Sequence, residues 1–341
     1  MATSDPRAPH CSVLPEEVVR FLAPQPGGTY CDATLGAGGH TERILEACGP
    51  TGRVIGIDRD PEALRIAGER LARFGDRFIP VRGRFGELPA LLDQIGQIGQ
   101  IGQIGQIGPI GIEQLDGIVA DLGVSSMQID EPGRGFSWQG QGPIDMRMDP
   151  ENGETALELI QRLDDETLAN ILWEYGEERY SRRIARALKR AAAAGELTDT
   201  LSLARTVASA CPTRDAHKHP ATRTFQALRI AVNDELRQLH SLLAAAPSVL
   251  RPGGRIVIIS FHSLEDRLVK HQLQRAPSPA GAPPGLFERA QGPFLSLTRK
   301  PVEPTDEEIA RNPRARSARL RAAELRPVVE RSVEQGAPWR G

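Results

Sequence analysis

Apolar positions along the chain change their period several times, and those changes divide it. Tyr30 to Leu35 is a short run of β-formers, and Arg53–Asp58, Phe78–Val81, Leu115–Leu122 and Arg255–Ser260 are further compact apolar runs. Such runs are what strands covered on both faces look like. Between them, Thr41–Cys48, Pro61–Phe74 and Glu87–Leu92 carry helical spacing, with Pro61 well placed in a first turn. Pro15–Leu22 predicts a short amphipathic helix ahead of the first strand. From about residue 154 to 211 the β signal fades. Leu157–Leu163, Thr167–Tyr175, Glu178–Ala193 and Leu201–Ala210 instead repeat every 3.6 residues.

The α/β pattern then returns. Arg223–Leu250 reads as one or two long helices, Arg251–Gly254 (RPGG) as a turn, and Leu264–Gln274 as a helix. A Pro/Gly/Ala run, Ala276–Gly285, is a loop; Phe294–Lys300 suits an edge strand, and NPRARSARLRAAEL holds the last one. Strands alternating with helices and interrupted once predict a doubly wound, mostly parallel α/β sheet of seven strands with an inserted all-α subdomain. The boundaries are 1–134 and 222–326 for the two parts of the sheet domain, 135–221 for the helical insertion, and 327–341 for a flexible tail.

One segment fits no period. The triplet QIG occurs five times between Gln94 and Gly108. A repeat of three matches neither helix nor strand, and glycine weakens both, so 94–111 is expected to be a low-complexity loop. It leads into the N-terminal edge of the sheet, away from where ligands bind, and is expected to leave any activity untouched.

The first strand runs into TYCDATLGAGGH, residues 29–40. Strand, glycine turn and helix form a nucleotide-handling unit, because glycines let the backbone approach a ligand and the helix start offers free N–H groups. Asp58 ends the second strand twenty positions after Gly38, where a carboxylate can take the ribose hydroxyls of an adenosine. A dinucleotide fingerprint fails at Thr41, which stands where glycine or alanine is needed. Three readings remain open on this stretch: a methyl-donor site of the S-adenosylmethionine type, a dinucleotide site, or a structural turn. At the end of the fourth strand, Asp121 either faces a substrate beside the bound cofactor or simply caps the turn that follows. The D/N-P-P-Y/F tetrad common in amino-group methyltransferases is absent there; the chain reads Asp121-Leu122-Gly123-Val124-Ser125-Ser126.

Composition narrows the picture only a little. Of 341 residues, 40% are hydrophobic and 25% charged, an ordinary globular balance, and the formal net charge of -2 means any nucleic-acid surface must be a local patch. No stretch approaches a membrane span, and no apolar leader opens the chain, so a cytoplasmic protein is expected. Cys11, Cys31, Cys48 and Cys211 are scattered, which fits reduced thiols rather than a zinc site. His217 and His219 are read as loop histidines or phosphate donors, and no metal is expected.

DATLGAGGH, IDRDPEA, ADLGVSSMQID, RGFSW, GPIDMRMD, HPATRTFQALRIAVNDEL, SFHSLEDR and NPRARSARLR appear in that order. Together these blocks resemble the bacterial small-subunit ribosomal RNA cytosine-N4 methyltransferases, the MraW family; the QIG repeat and Ala37 depart from its usual pattern. The resemblance implies a class I, Rossmann-like fold and S-adenosylmethionine as cofactor. It implies that Gly38, Gly39 and His40 hold the methionine end, Asp58 the ribose and Phe85 the adenine edge, with Asp121 and Gln128 completing the pocket and Gly36 also binding the cofactor. It implies 16S ribosomal RNA in the small subunit as partner, and no membrane; the chain is expected as monomer or homodimer. A DNA amino-methyltransferase and a non-catalytic assembly factor are the alternatives.

The chemistry asks for positioning and for an acceptor near the amine. Asp121 is the first candidate, with Ser125, Ser126 and His262 as polar alternatives. Phe136, Trp138 and Phe261 lie on loops expected near the pocket and could stack a splayed base. Arg179, Arg182, Arg183, Arg186, Lys189 and Arg190 cluster in the insertion. Arg214, Lys218 and Arg223 stand at its end, and Arg311, Arg314, Arg316, Arg319 and Arg321 in the last segment. These groups suit phosphate contacts.

Overall fold

A computed structural model describes residues 12–101, 114–212, 219–274 and 292–327. The first half alternates as the apolar runs predict. It contains α1 (Pro15–Leu22), β1 (Thr29–Asp32), α2 (Gly39–Ala47), β2 (Arg53–Asp58), α3 (Pro61–Leu71), β3 (Phe78–Arg82), α4 (Leu88–Ile101) and β4 (Leu115–Asp121). A short α5 (Ser126–Asp130) follows, then α6 (Ala156–Arg162), α7 (Asp165–Gly176), α8 (Ser181–Ala193) and α9 (Thr200–Ala210). Two longer helices, α10 (Ala221–Asn233) and α11 (Glu235–Val249), lead back to β5 (Leu250–Ser260), α12 (Ser263–Gln274), β6 (Phe294–Ser296), α13 (Asp306–Arg311) and β7 (Arg319–Leu325).

The seven strands form one sheet in the order β3-β2-β1-β4-β5-β7-β6. The first five run parallel, and β7 pairs antiparallel with β5 and β6. Alternation along each strand divides the core. Cys31, Ile55, Ile118 and Ile256 face one apolar cluster with α4 and α11, while Tyr30, Val54, Val119 and Val257 face another with α1, α2 and α3. Each fully buried large aliphatic side chain contributes about 1.5–3 kcal/mol, so the sheet is clamped from both sides.

A third cluster is built mainly from helices α6 to α10, around Leu168, Leu172, Ile184, Leu188, Leu203 and Val207, with Ile144, Met146 and Leu197 added from the connecting segments. Its helices start where capping residues stand: Thr155 and Asp199 form capping boxes for α6 and α9, and Asp164 caps α7. Phe225, Ala227 and Leu228 of α10 belong to this cluster, which therefore extends beyond residue 221.

Three local expectations are corrected. The helix after β3 runs on through Ile101, into the triplet repeat expected to be a loop. Leu88, Leu91, Leu92 and Ile95 all turn inward, and this packing carries the first glycines along in helical form. The RPGG turn is absorbed into β5, with a register shift against β4 between Leu115 and Gly117 where the extra residues bulge out. The late edge strand is only Phe294–Ser296. The repeat beyond Ile101, residues 276–285, Cys11, Arg214, His217, Lys218 and the tail past 327 lie outside the described residues. Among the described residues no helix is long and apolar enough to cross a membrane.

Candidate active site

Three neighbouring strands end in carboxylates: Asp32 on β1, Asp58 on β2 and Asp121 on β4. The strand order reverses between β1 and β4, and a cleft of about 420 Å³ opens above these tips. Crevices at such a switch point are where doubly wound sheets bind ligands.

The glycine turn folds onto Asp58. Gly36 N–H donates to Asp58 Oδ2 at 2.9 Å, and Asp60 N–H donates to Oδ1 at 2.9 Å. A carboxylate has about four acceptor positions, so two remain for outside donors. Burial pushes the Asp58 carboxyl up to about 6, against the pull of these two N–H groups. Gly39 lines the cleft, and a Cβ there would fall 2.0 Å from Ser12 Oγ. Gly38 does not line it. With φ +78° it caps α2, and a Cβ would press on Leu71 Cδ1 at 3.0 Å, so its role is turn and packing.

His40, the second residue of α2, is almost fully buried at the cleft wall, with Nε2 3.5 Å from Asp121 Oδ2. Asp121 is held by its backbone N–H, which donates to Thr34 Oγ1 at 2.6 Å. Asp32 lies beneath, accepting from Thr41 Oγ1 at 2.8 Å and Thr34 N–H at 3.2 Å. Burial raises the Asp32 pKa, although the charge of His40 and these bonds oppose it.

Gln128 earns its place through α5. Ser125 and Gln128 form a reciprocal capping box, and Gln128 Nε2 donates to Asp60 Oδ2 at 2.9 Å. Arg134 Nη1 reaches the same oxygen at 2.7 Å while its Nη2 donates to the carbonyls of Arg147 and Met148. One buried carboxylate therefore ties the loop after β4 to the turn after β2. The Ser125 hydroxyl accepts from Gln128 N–H at 3.2 Å as the cap, and Ser125 and Ser126 both line the cleft.

Phe85 and Phe261 both line the cleft, from the ends of β3 and β5. Phe136 and Trp138 do not. They pack against the helical cluster, Trp138 stacked on His219 with centroids 4.0 Å apart and planes 6° from parallel. Their glycine-rich loop follows α5 but is drawn away by that cluster. His262 is likewise not in the cleft wall. It sits in the first turn before α12, where Glu265 N–H donates to its Nδ1 and its Nε2 lies 3.1 Å from Glu265 Oε1.

Sequence reasoning missed Arg229, Glu235 and Gln238, which line the cleft from α10 and α11. Arg229 binds Glu235 through two bonds of 2.8 Å, and both are nearly buried. Asp234, with φ +55°, breaks the two helices between them, so no i,i+4 spacing announces the pair. The only signal was their position inside the HPATRTFQALRIAVNDEL block. Asn233 anchors this corner to the GPIDMRMD segment, accepting from Met148 N–H and donating to Met146 O.

The arginines divide sharply. Arg314 lines the cleft and pairs with Asp130. Arg223 donates to Glu177 O at 3.2 Å, and Arg316 is exposed. Arg179, Arg182, Arg183, Arg186 and Arg190 are all exposed on or beside α8, and among the described residues none makes an ion pair. Between α8 and α9 runs a groove of about 610 Å³ lined by Arg183, Arg190 and Arg205.

The residues present fit an adenosyl-sulfonium cofactor: a glycine turn too tight for side chains, a carboxylate with free acceptor positions, and unpartnered buried polar atoms at His40 and Asp121. Comparison with known proteins agrees. The model of the MraW methylase family matches residues 7–326. A ribosomal RNA small subunit methyltransferase H from Sorangium cellulosum is 53% identical over 311 residues, 91% of this chain and 89% of that relative. Proteins of the same name from Pelobacter propionicus and Trichlorobacter lovleyi are 48% and 49% identical, each over 91% of this chain and 96% of their own length. The strand-tip cleft and a match over nearly the whole chain make it a member of the MraW methylase family.

Proposed function

We propose that this chain methylates the exocyclic 4-amino group of a cytidine in 16S ribosomal RNA of the small subunit, with S-adenosylmethionine as donor, in the cytoplasm. The observation that carries the reading is Asp121, whose Oδ1 is buried at the cleft wall with no hydrogen-bond partner among the described residues. An acceptor left open there, beside a sugar-binding carboxylate, matches an amine substrate better than a dinucleotide. The family membership and the names of the relatives support the choice of RNA.

When bound, S-adenosylmethionine supplies a methyl group on a positively charged sulfur. The protein's own residues do the rest by placement. Asp58 accepts the ribose hydroxyls, and Gly36 and Gly39 let the turn close around the donor. Asp121 accepts a hydrogen bond from the cytosine amine, returning electron density to a nitrogen whose lone pair is delocalised into the ring. Phe261, beside the Asp121 loop, is the aromatic best placed to stack the splayed base, and such stacking is worth about 1–3 kcal/mol.

Substrate RNA is held mainly outside the cleft. Arg179, Arg182, Arg183, Arg186, Arg190 and Arg205 form an exposed basic face suited to phosphates, with Glu196 the acidic residue in its groove. Arg223 and Arg316 extend it, and Arg314 can exchange its exposed bond to Asp130, of a kind worth about 0–1 kcal/mol, for a phosphate. Transfer of labelled methyl groups to small subunits lacking the modification, followed by mapping of the modified nucleotide, tests the reading. Label on a cytidine N4 is the expected result; no label, or label elsewhere, overturns it.

A further inference from the structure

Both ring nitrogens of His40 are buried without a hydrogen-bond partner, as is Asp121 Oδ1. The His40 side chain is only 6% exposed, and Nε2 lies 3.5 Å from Asp121 Oδ2, slightly long for a hydrogen bond but close for a proton-sharing pair. Buried polar groups normally find partners, and those that do not concentrate where chemistry uses them. A place for His40 beside the donor's methionine end does not by itself account for a titratable ring set against Asp121.

We propose that His40 is the proton relay of the methyl transfer, neutral while a sulfonium shares the cleft and receiving through Asp121 the proton released by the methylated nitrogen. This rests on the amine-methylation reading above. The amine lone pair forms the new N–C bond as the S–C bond breaks, and that bond's electrons stay on sulfur. Sulfur becomes neutral and nitrogen carries the positive charge. Nitrogen then gives its extra proton to Asp121, which passes it to His40 Nε2, and solvent takes it when products leave. One positive charge moves from sulfur to nitrogen to imidazole, so the transfer adds no further charge to a cleft already lined by Arg70 and Arg229.

The surroundings of the ring support this sequence. Asp121 faces it from β4, Asp32 from β1 and Arg70 from α3. Burial disfavours the imidazolium, and Arg70 adds to that, but the close Asp121 carboxylate and the charge of Asp32 outweigh them and raise the ring's pKa. In the free protein the ring is therefore biased towards holding a proton. A sulfonium in the same cleft displaces that proton, and its conversion to a thioether lets the proton return. His40 acts on the amine through Asp121 and is a positioning and relay residue, not a group that touches the base.

Calorimetry tests this without turnover. The cofactor-free protein is titrated at pH 7 in buffers of different ionisation enthalpy, with S-adenosylmethionine and with S-adenosylhomocysteine, which differ by the charged methyl alone. Wild type should release more protons with the sulfonium, by a sizeable fraction of one per site, and His40→Gln should abolish the difference. In the same variant, kcat on small subunits at saturating S-adenosylmethionine should fall at least about tenfold and lose its acid limb. Equal proton release for the two ligands in wild type overturns the proposal, as does a His40→Gln enzyme with normal kcat and pH profile. Should His40→Gln not fold, the two-ligand comparison is repeated in wild type by NMR titration of the His40 ring; a lower pKa with the sulfonium supports the relay, and no difference overturns it. Absence of methyl transfer by wild type would instead count against the substrate assignment.

Discussion

The cleft and the outer face of the helical cluster handle charge in opposite ways. Around the cleft, arginines are buried and matched: Arg134 with Asp60, Arg229 with Glu235, and Arg321 with Asp266 behind β5. On α8 and α9, arginines are exposed and make no ion pair among the described residues. A buried charge stripped of its partner costs several kcal/mol, so the first set fixes loop geometry. An exposed, unpaired guanidinium costs little and stays available to an anion from outside. The contrast separates a rigid chemical site from a surface for capturing substrate.

The largest effect should come from the cleft. Asp121→Asn keeps shape and removes charge, and should lower single-turnover methyl transfer by about 10²–10⁴-fold while donor affinity measured by calorimetry moves little. Normal transfer by this variant would erase the catalytic half of the contrast. On the other side, replacing Arg183, Arg190 and Arg205 together by alanine should weaken RNA binding and leave donor affinity unchanged. If each meets one phosphate, the slope of log affinity against log salt becomes shallower by about 0.7–0.9 per arginine. An unchanged slope in filter-binding titrations would mean that this groove does not touch RNA.

A smaller effect follows from Asp58. Its native pKa of about 6 means that the carboxylate able to accept ribose hydroxyls is lost as pH falls through that value. Donor affinity should therefore be about tenfold weaker at pH 5 than above pH 7, and Asp58→Asn should flatten the profile. Because the folded pKa is raised, ionising Asp58 works against folding, and that penalty appears as pH rises from the unfolded value near 4 through about 6. The smallest effect is structural. Thr155→Ala removes the cap of α6 and should cost about 1 kcal/mol in urea unfolding, with donor affinity unaltered.

Much of the site was legible because it sits at the ends of strands. An apolar run that stops at an acid places that acid at a sheet edge, and Asp58 and Asp121 were found this way. The glycine turn was legible in the same manner, except that Gly38 and Gly39 cannot be told apart by spacing, and only one faces the cleft. Trp138 and Phe136 misled because an aromatic on a loop between two regions can go to either. Here the helical cluster offered the larger apolar surface. The QIG helix shows the converse, since packing of Leu88, Leu91, Leu92 and Ile95 overrides the weak propensity of glycine.

The sequence by itself determined the order of strands and helices, the interruption by a helical unit and the acids at the strand tips, since these depend on periodicities readable over a few residues. Only the tertiary structure decided which charges meet. His40 faces Asp121 across two strands, Arg229 finds Glu235 around a helix break, and the α8 arginines find no carboxylate among the described residues. Those pairings depend on how far-apart segments are oriented once packed, and short-range spacing carries no information about them.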